Sequence, residues 1–138
     1  MVDPRDGTLL FVDKGVEPPG LYAAAWPGDG AARELTRLGD IDLPPELSIL
    51  GEVTAGDISP DGTRIALRTY GSVHEFRAAP AAAPAAVLSR PPAVTLSTPE
   101  VLQAEAVCYT ADGTALCTAG EGLRPQVLIL RRRALAAR

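Results

Sequence analysis

Three times along this chain an Asp-Gly-Thr triplet stands directly ahead of a short apolar run. Asp6-Gly7-Thr8 precedes Leu9-Leu10-Phe11-Val12, Asp61-Gly62-Thr63 precedes Arg64-Ile65-Ala66-Leu67-Arg68-Thr69, and Asp112-Gly113-Thr114 precedes Ala115-Leu116-Cys117-Thr118. The Gly-Thr pairs begin at positions 7, 62 and 113, a spacing of 55 and then 51 residues. Self-similarity at such an interval restricts the fold more than any composition does, and periods of about 40–50 residues belong to propeller blades.

The local chemistry of each triplet is that of a hairpin. Pro60 presets φ for the first corner, Asp61 tolerates the second, and Gly62 takes the positive φ that closes the turn. Asp-Gly between two apolar runs is among the stronger short-range hairpin signals. After the turn, residues 63–69 alternate polar and apolar, the pattern of a half-buried strand. Further strands are expected downstream of each hairpin: residues 21–26 and 34–41 in the first unit, 72–77 and 94–97 in the second, 126–130 in the third. The Ala-rich stretch 78–93 is interrupted by Pro80, Pro84, Pro91 and Pro92 and reads as a loop rather than a helix. The expected fold is therefore all-β: consecutive four-stranded antiparallel blades over 1–43, 52–98 and 104–131, the terminal ones incomplete. Closed propellers need about 4–8 blades, so the expected ring is incomplete; an antiparallel sandwich is the alternative. Unpaired sheet edges invite association with another protein chain or with a second copy.

Charge narrows the partners. Thirteen basic against seventeen acidic residues give a net charge of −4, which argues against nucleic acid, since phosphate binding needs a basic face. The basic cluster Arg131-Arg132-Arg133, with Arg138, reads as a solvated tail that stops a strand from running on. Lys14 is the only lysine, and with the heavy Ala, Pro and Gly usage this points to a coding bias. No apolar run approaches the roughly 18–20 residues of a membrane-spanning helix. The first residues lack the pattern of a signal peptide and read like the middle of a folded unit, so the expectation is either a fragment or a gene that begins where a longer relative is already partway through.

Two stretches, VTAGDISPDGTRIALRTYGSVHEF and LQAEAVCYTADGTALCTAGEG, resemble the secreted bacterial propeller proteins related to phytase-like esterases. They are more loosely similar to gluconolactonase-type six-bladed propellers and to the short repeats of the TolB propeller. The resemblance runs from Asp3 to Leu130, about half of a full propeller. It implies export, calcium as a cofactor, and glutamates near a central channel that bind calcium and substrate phosphate. Glu105, ahead of the strand 106–110, and Glu121, after the strand 115–119, match those positions. A hairpin returns both carboxylates to one end of the blade, and oxygen ligands suit a hard cation. Asp57 lies further along the neighbouring strand as a third metal-ligand candidate, and Arg68 is placed to face a channel and meet phosphate. The second unit carries Thr54 and Tyr70 where the third carries Glu105 and Glu121, so the carboxylate pair is not repeated.

Glu105 and Glu121 thus stand either as metal ligands or as solvated strand ends. Asp6, Asp61 and Asp112 are expected to cap turn N–H groups. His74, the only histidine, lacks sequence neighbours for zinc or nucleophile-base chemistry beyond Glu75 and is expected on a strand with one face at the surface. Ser59 and Ser72 lack the strand-turn-helix context of a nucleophile elbow. Trp26 is expected to cover a core edge. A two-residue loop at Asp112-Gly113 would pair Cys108 with Cys117, whereas a three-residue loop would pair Cys108 with Leu116 on opposite faces; the longer loop, with two reduced and largely buried cysteines, is expected. The functional expectation is a non-catalytic propeller fragment or binding module. The alternative is a calcium-dependent phosphoester hydrolase.

Overall fold

A computed structural model of the chain describes residues 1–14, 18–25, 30–46, 48–98 and 103–131. Ten strands form three antiparallel sheets that do not close into a ring. The first sheet holds β1 (Leu9–Val12), β2 (Gly20–Ala24) and β3 (Thr36–Asp40). The second holds β4 (Val53–Ile58), β5 (Arg64–Thr69), β6 (Ser72–Arg77) and β7 (Val94–Ser97). The third holds β8 (Ala104–Tyr109), β9 (Ala115–Gly120) and β10 (Val127–Arg131). Each sheet is a plain meander, its strands hydrogen-bonded in chain order. In the first sheet Met1 adds to β1, its amino group donating to Leu10 O at 2.9 Å and its carbonyl accepting from Leu10 N at 2.9 Å.

The three turns share one construction. Asp3 N–H bonds Thr8 O, Ser59 N–H bonds Arg64 O, and Thr110 N–H bonds Ala115 O, each at 2.9 Å. In the second and third turns one oxygen of the aspartate accepts both from the hydroxyl two residues before it and from the backbone N–H two residues after it. Asp61 Oδ1 takes Ser59 Oγ at 2.6 Å and Thr63 N at 3.0 Å; Asp112 Oδ1 takes Thr110 Oγ1 at 2.5 Å and Thr114 N at 3.0 Å. Asp6 Oδ1 caps Thr8 N at 2.9 Å. The turn-capping reading of all three aspartates holds. These bonds stabilise the ionised form, holding Asp61 well below the usual carboxylate range and Asp112 down to about 2. Gly62 and Gly113 take φ of +68° and +67°, the left-handed region that suits a residue without a Cβ. In the first turn the glycine sits one place later, so alignment on Gly-Thr shifts β1 by one residue: Asp3, not Pro4, is the counterpart of Ser59.

The same repeat reaches further down the hairpins. The β4–β5 register shifts between Val53 and Ala55, and the β8–β9 register shifts between Ala104 and Ala106. Thr54 and Glu105 are the extra residues of two equivalent bulges, which confirms that these positions correspond.

Packing explains why β5 and β6 are buried almost throughout. Ile65, Leu67 and Phe76 join Leu10, Leu21 and Ile41 of the first sheet in one core, while Ala66 and Val73 on the opposite face join Val107, Tyr109 and Leu116 of the third. The middle sheet is covered on both faces, so β5 is not half-buried as its alternation suggests. Leu10 corresponds to Ala66 once the turns are aligned, so in both junctions the same side of one sheet meets the opposite side of the next. Each large side chain fully buried in this way contributes roughly 1.5–3 kcal/mol.

Residues 84–88 correct the loop expected over 78–93. They form a helical turn, α1 (Pro84–Leu88), with Pro84 in its first turn. Proline has no N–H to lose there and its φ already suits a helix. Val87 and Leu88 are buried against the first core. Trp26 and Arg132, Arg133 and Arg138 lie outside the described residues.

Replacing Gly113 by alanine should cost about 1–2 kcal/mol, since a Cβ disfavours the left-handed backbone. Its Cβ would also stand 2.9 Å from an Arg64 nitrogen. Thermal unfolding should show a midpoint several degrees lower, whereas an unchanged midpoint would mean the turn relaxes without strain.

Candidate functional site

Polar side chains gather at the ends of the strands and at the seams between sheets. Glu105, turned out by its bulge, stands beside the end of β5: Tyr70 Oη donates to Glu105 Oε1 at 2.8 Å. Lys14 Nζ donates to Tyr70 Oη at 2.9 Å, lies 3.8 Å from Glu105 Oε1, and sits 4.9 Å from the centre of the Tyr70 ring. The phenol bond, then the nearby carboxylate charges, raise the Lys14 pKa. The ammonium already balances the Glu105 carboxylate, and one residue from each sheet contributes to the cluster. Glu121 N–H bonds Gln103 O at 3.0 Å, which sets Glu121 at the same end of the third sheet as Glu105. Glu121 is exposed.

Asp57 and Arg68 lie elsewhere. Asp57 Oδ2 accepts the backbone N–H of Tyr109 at 2.8 Å and so pins β8 to β4. Across the same seam Thr54 Oγ1 donates to Ala104 O at 2.7 Å and Arg64 Nη1 donates to Gly113 O at 2.9 Å. Arg68 is completely buried, its Nη1 donating to Thr98 Oγ1. Glu105 and Glu121 thus share one end of the third sheet, while Asp57 and Arg68 serve the seam and the interior. Among the described residues no group of three or more His, Cys, Asp or Glu side chains is placed to hold a metal ion.

His74 corrects its expectation. It is wholly buried and held from two distant parts of the chain: Nε2 lies 3.0 Å from Glu46 Oε1, and Nδ1 lies 3.1 Å from Thr95 Oγ1. Thr69 Oγ1 also donates to Glu46 Oε1 at 3.0 Å. Glu46 belongs to the connection between the first two sheets, so the network clamps that connection onto β5, β6 and β7. Sequence reading missed it because Glu46 and Thr95 lie 28 and 21 residues from His74 with no motif joining them. A carboxylate, an imidazole and an exposed hydroxyl in line have the composition of a nucleophile relay. The bonds of this network tie the connection to β5, β6 and β7, which is the arrangement of a clamp.

The cysteines also differ from expectation. Four residues, Ala111 to Thr114, lie between the bonded ends Thr110 and Ala115, which restores the register of a two-residue loop and sets Cys108 directly opposite Cys117. The thiols are not bonded to each other; Cys108 is exposed and Cys117 half-buried. Desolvation first, and Cys117 second, raise the Cys108 pKa. Both side chains lie on the open face of the third sheet.

Comparison with protein-family models and with curated proteins returned no match.

Burial lowers the His74 pKa from 6.5, the Arg68 charge lowers it further, and the Glu46 carboxylate opposes both. The unfolded chain therefore binds its proton first, and the stability that neutral His74 contributes is lost as pH falls below about 6.5. Glu46, Arg68 and Thr95 face the ring, and Thr69 donates to the same Glu46 oxygen. Thermal midpoints should fall between pH 7.5 and pH 5.5, and less steeply in His74→Gln. Equal slopes would mean that other groups carry the acid sensitivity.

Proposed function

We propose that this chain is a non-catalytic, propeller-type interaction module that associates through the open faces of its first and third sheets, with a second copy or another protein chain. The observation that carries this reading is an asymmetry between the sheets. Strands β5 and β6 of the middle sheet are covered on both faces, whereas the outer sheets expose apolar residues away from it: Phe11 is 43% exposed, Val127 63% and Ile129 55%. Registers of β8, β9 and β10 place Ala106, Cys108, Cys117, Ala119, Val127 and Ile129 on one face, with Arg131 following at the strand end opposite Ala115. An exposed apolar face of this kind marks an interaction surface.

The two faces are also of opposite kind. Phe11 corresponds to Leu67, on the side of the second sheet that meets the first. Cys117 corresponds to Ala66, on the side that meets the third. Placing the third sheet of one copy on the first sheet of another therefore repeats the stacking already used twice inside the chain. Two copies arranged this way meet at two equivalent junctions, and a ring of six blades lies within the propeller range.

Light scattering on the purified chain should give a discrete particle of twice the chain mass. Phe11→Glu and Ala119→Glu, each placing a carboxylate within an open face, should shift it to monomer while far-UV circular dichroism shows the strands retained. A particle whose mass ignores both substitutions would sink the reading.

A calcium-dependent phosphoester hydrolase is the second reading, supported by the shared position of Glu105 and Glu121. A metal bound only by the folded form stabilises it by about 2.7 kcal/mol at a hundredfold excess over its Kd. Unfolding with excess calcium and with a chelator separates the two readings. The interaction module predicts coincident transitions, and a calcium-dependent rise of several degrees would favour the hydrolase.

A further inference from the structure

Among the described residues the third sheet is one strand narrower than the second, and a groove lies where the two stop matching. It is a cavity of about 200 Å³ between the sheets, floored by Val73, Val94 and Leu96 of β6 and β7 and walled by Leu116 and Leu130 of β9 and β10. Leu96, with no strand of the third sheet above it, is 40% exposed.

Among the described residues the rim of this groove is an unpaired edge. Thr110 N–H bonds Ala115 O, so Ala115, Cys117 and Ala119 aim their backbone groups at β8. Antiparallel alternation then turns those of Leu116 and Thr118 toward Leu130 and Leu128 on β10. Val127, Ile129 and Arg131 are left presenting N–H and C=O groups outward, and β10 ends the order of its sheet. Arginines collect at the turn end of the groove. Arg64 pairs across the strands with Arg77, Arg131 is opposite Ala115, and all three line the cavity. Two carboxylates offset them in part: Asp61 lies 3.6 Å from Arg64, and Glu75 lies 3.9 Å from Arg77 while accepting from Tyr109 Oη at 3.3 Å.

We propose that β10 accepts one extended strand from another polypeptide, which pairs with its free edge, sets alternate apolar side chains into the groove over Leu96, and places a carboxylate against the arginines. This rests on the interaction-module reading and assigns it a second, separate surface. Backbone pairing supplies affinity and the groove supplies selectivity in such strand addition. β7 fills the equivalent place in the second sheet with Val94-Thr95-Leu96-Ser97, so the required pattern already occurs in the chain. A second copy does not fit through its own β10. Each copy's second sheet reaches one strand beyond its third, and antiparallel pairing of the two β10 strands would bring both overhangs into the same space.

The test uses the full chain and a fluorescein-labelled peptide, Val-Thr-Val-Glu-Val-Glu, read by fluorescence anisotropy. Beside it run the same peptide N-methylated at alternate backbone nitrogens and a version with lysine for glutamate. Saturable binding of the first is expected, with both others weaker by roughly tenfold or more, the loss of about 1.4 kcal/mol. Leu96→Glu should weaken binding comparably, and Arg131→Glu, at an exposed strand end, should reverse the preference from glutamate to lysine. Equal binding of the N-methylated peptide overturns the proposal, as does absence of saturable binding. Octanoate binding without peptide binding also overturns it, in favour of a small-molecule pocket. Peptides that fail while Phe11→Glu still abolishes the dimer sink the strand acceptor alone; peptides that bind a chain that stays monomeric sink the ring and leave the acceptor standing.

Discussion

Burial of the middle sheet on both faces is the condition on which the rest of this structure depends. β5 carries Ile65 and Leu67 into one core and Ala66 into the other, so neither outer sheet has a core without it. Small two- and three-stranded sheets are weak by themselves, and here each of the outer two leans on a common four-stranded centre. Polar bonds then fix how the sheets sit. Asp57, Thr54 and Arg64 each reach across the seam to a backbone atom of the third sheet. Buried polar groups need such partners, and spending them on a neighbour's backbone converts simple apolar contact into a defined register.

The same condition makes the outer sheets unequal to the middle one. What the second sheet receives on two faces, the first and third receive on one. Phe11 on one side and Val127 and Ile129 on the other occupy positions whose counterparts in the second sheet are covered. Exposed apolar residues scattered singly mean little. The match between the faces that carry Phe11, Val127 and Ile129 and the internal junctions is what gives these three meaning. Cys108 and Cys117 belong to this surface rather than to a core.

How much of this was legible in the sequence follows the range of each interaction. The turns are local: a hydroxyl, an aspartate, a glycine and a threonine within a few residues contain all the donors and acceptors they use, so Asp61, Gly62, Asp112 and Gly113 announce them. The bulges at Thr54 and Glu105 follow from the same repeat, and the strands of the middle unit lie where their pattern places them. Features that depend on distant partners were not visible. His74 looks isolated because Glu46 and Thr95 reach it only after the chain has crossed between sheets. β5 looks half-buried because its polar positions, Arg64 and Arg68, alternate with apolar ones, yet the second face is covered by a sheet formed forty residues later. Helix α1 was hidden by prolines, although one of them serves its first turn, and the cysteine register turned on a loop length that composition does not encode.

Glu105 shows how one position serves differently in neighbouring repeats. Its counterpart Thr54 spends its hydroxyl on Ala104 O, closing the seam between the second and third sheets. Glu105 has no further described sheet to meet on its own side, and its carboxylate turns back to Tyr70 and Lys14. Tyr70 is itself the counterpart of Glu121, so the acid of one bulge meets the strand end of the preceding hairpin. That arrangement joins all three sheets through a single carboxylate at the rim. An exposed ion pair of this kind is worth little in stability, so its consequence is orientational: it holds the Glu105 side chain against the end of the preceding hairpin.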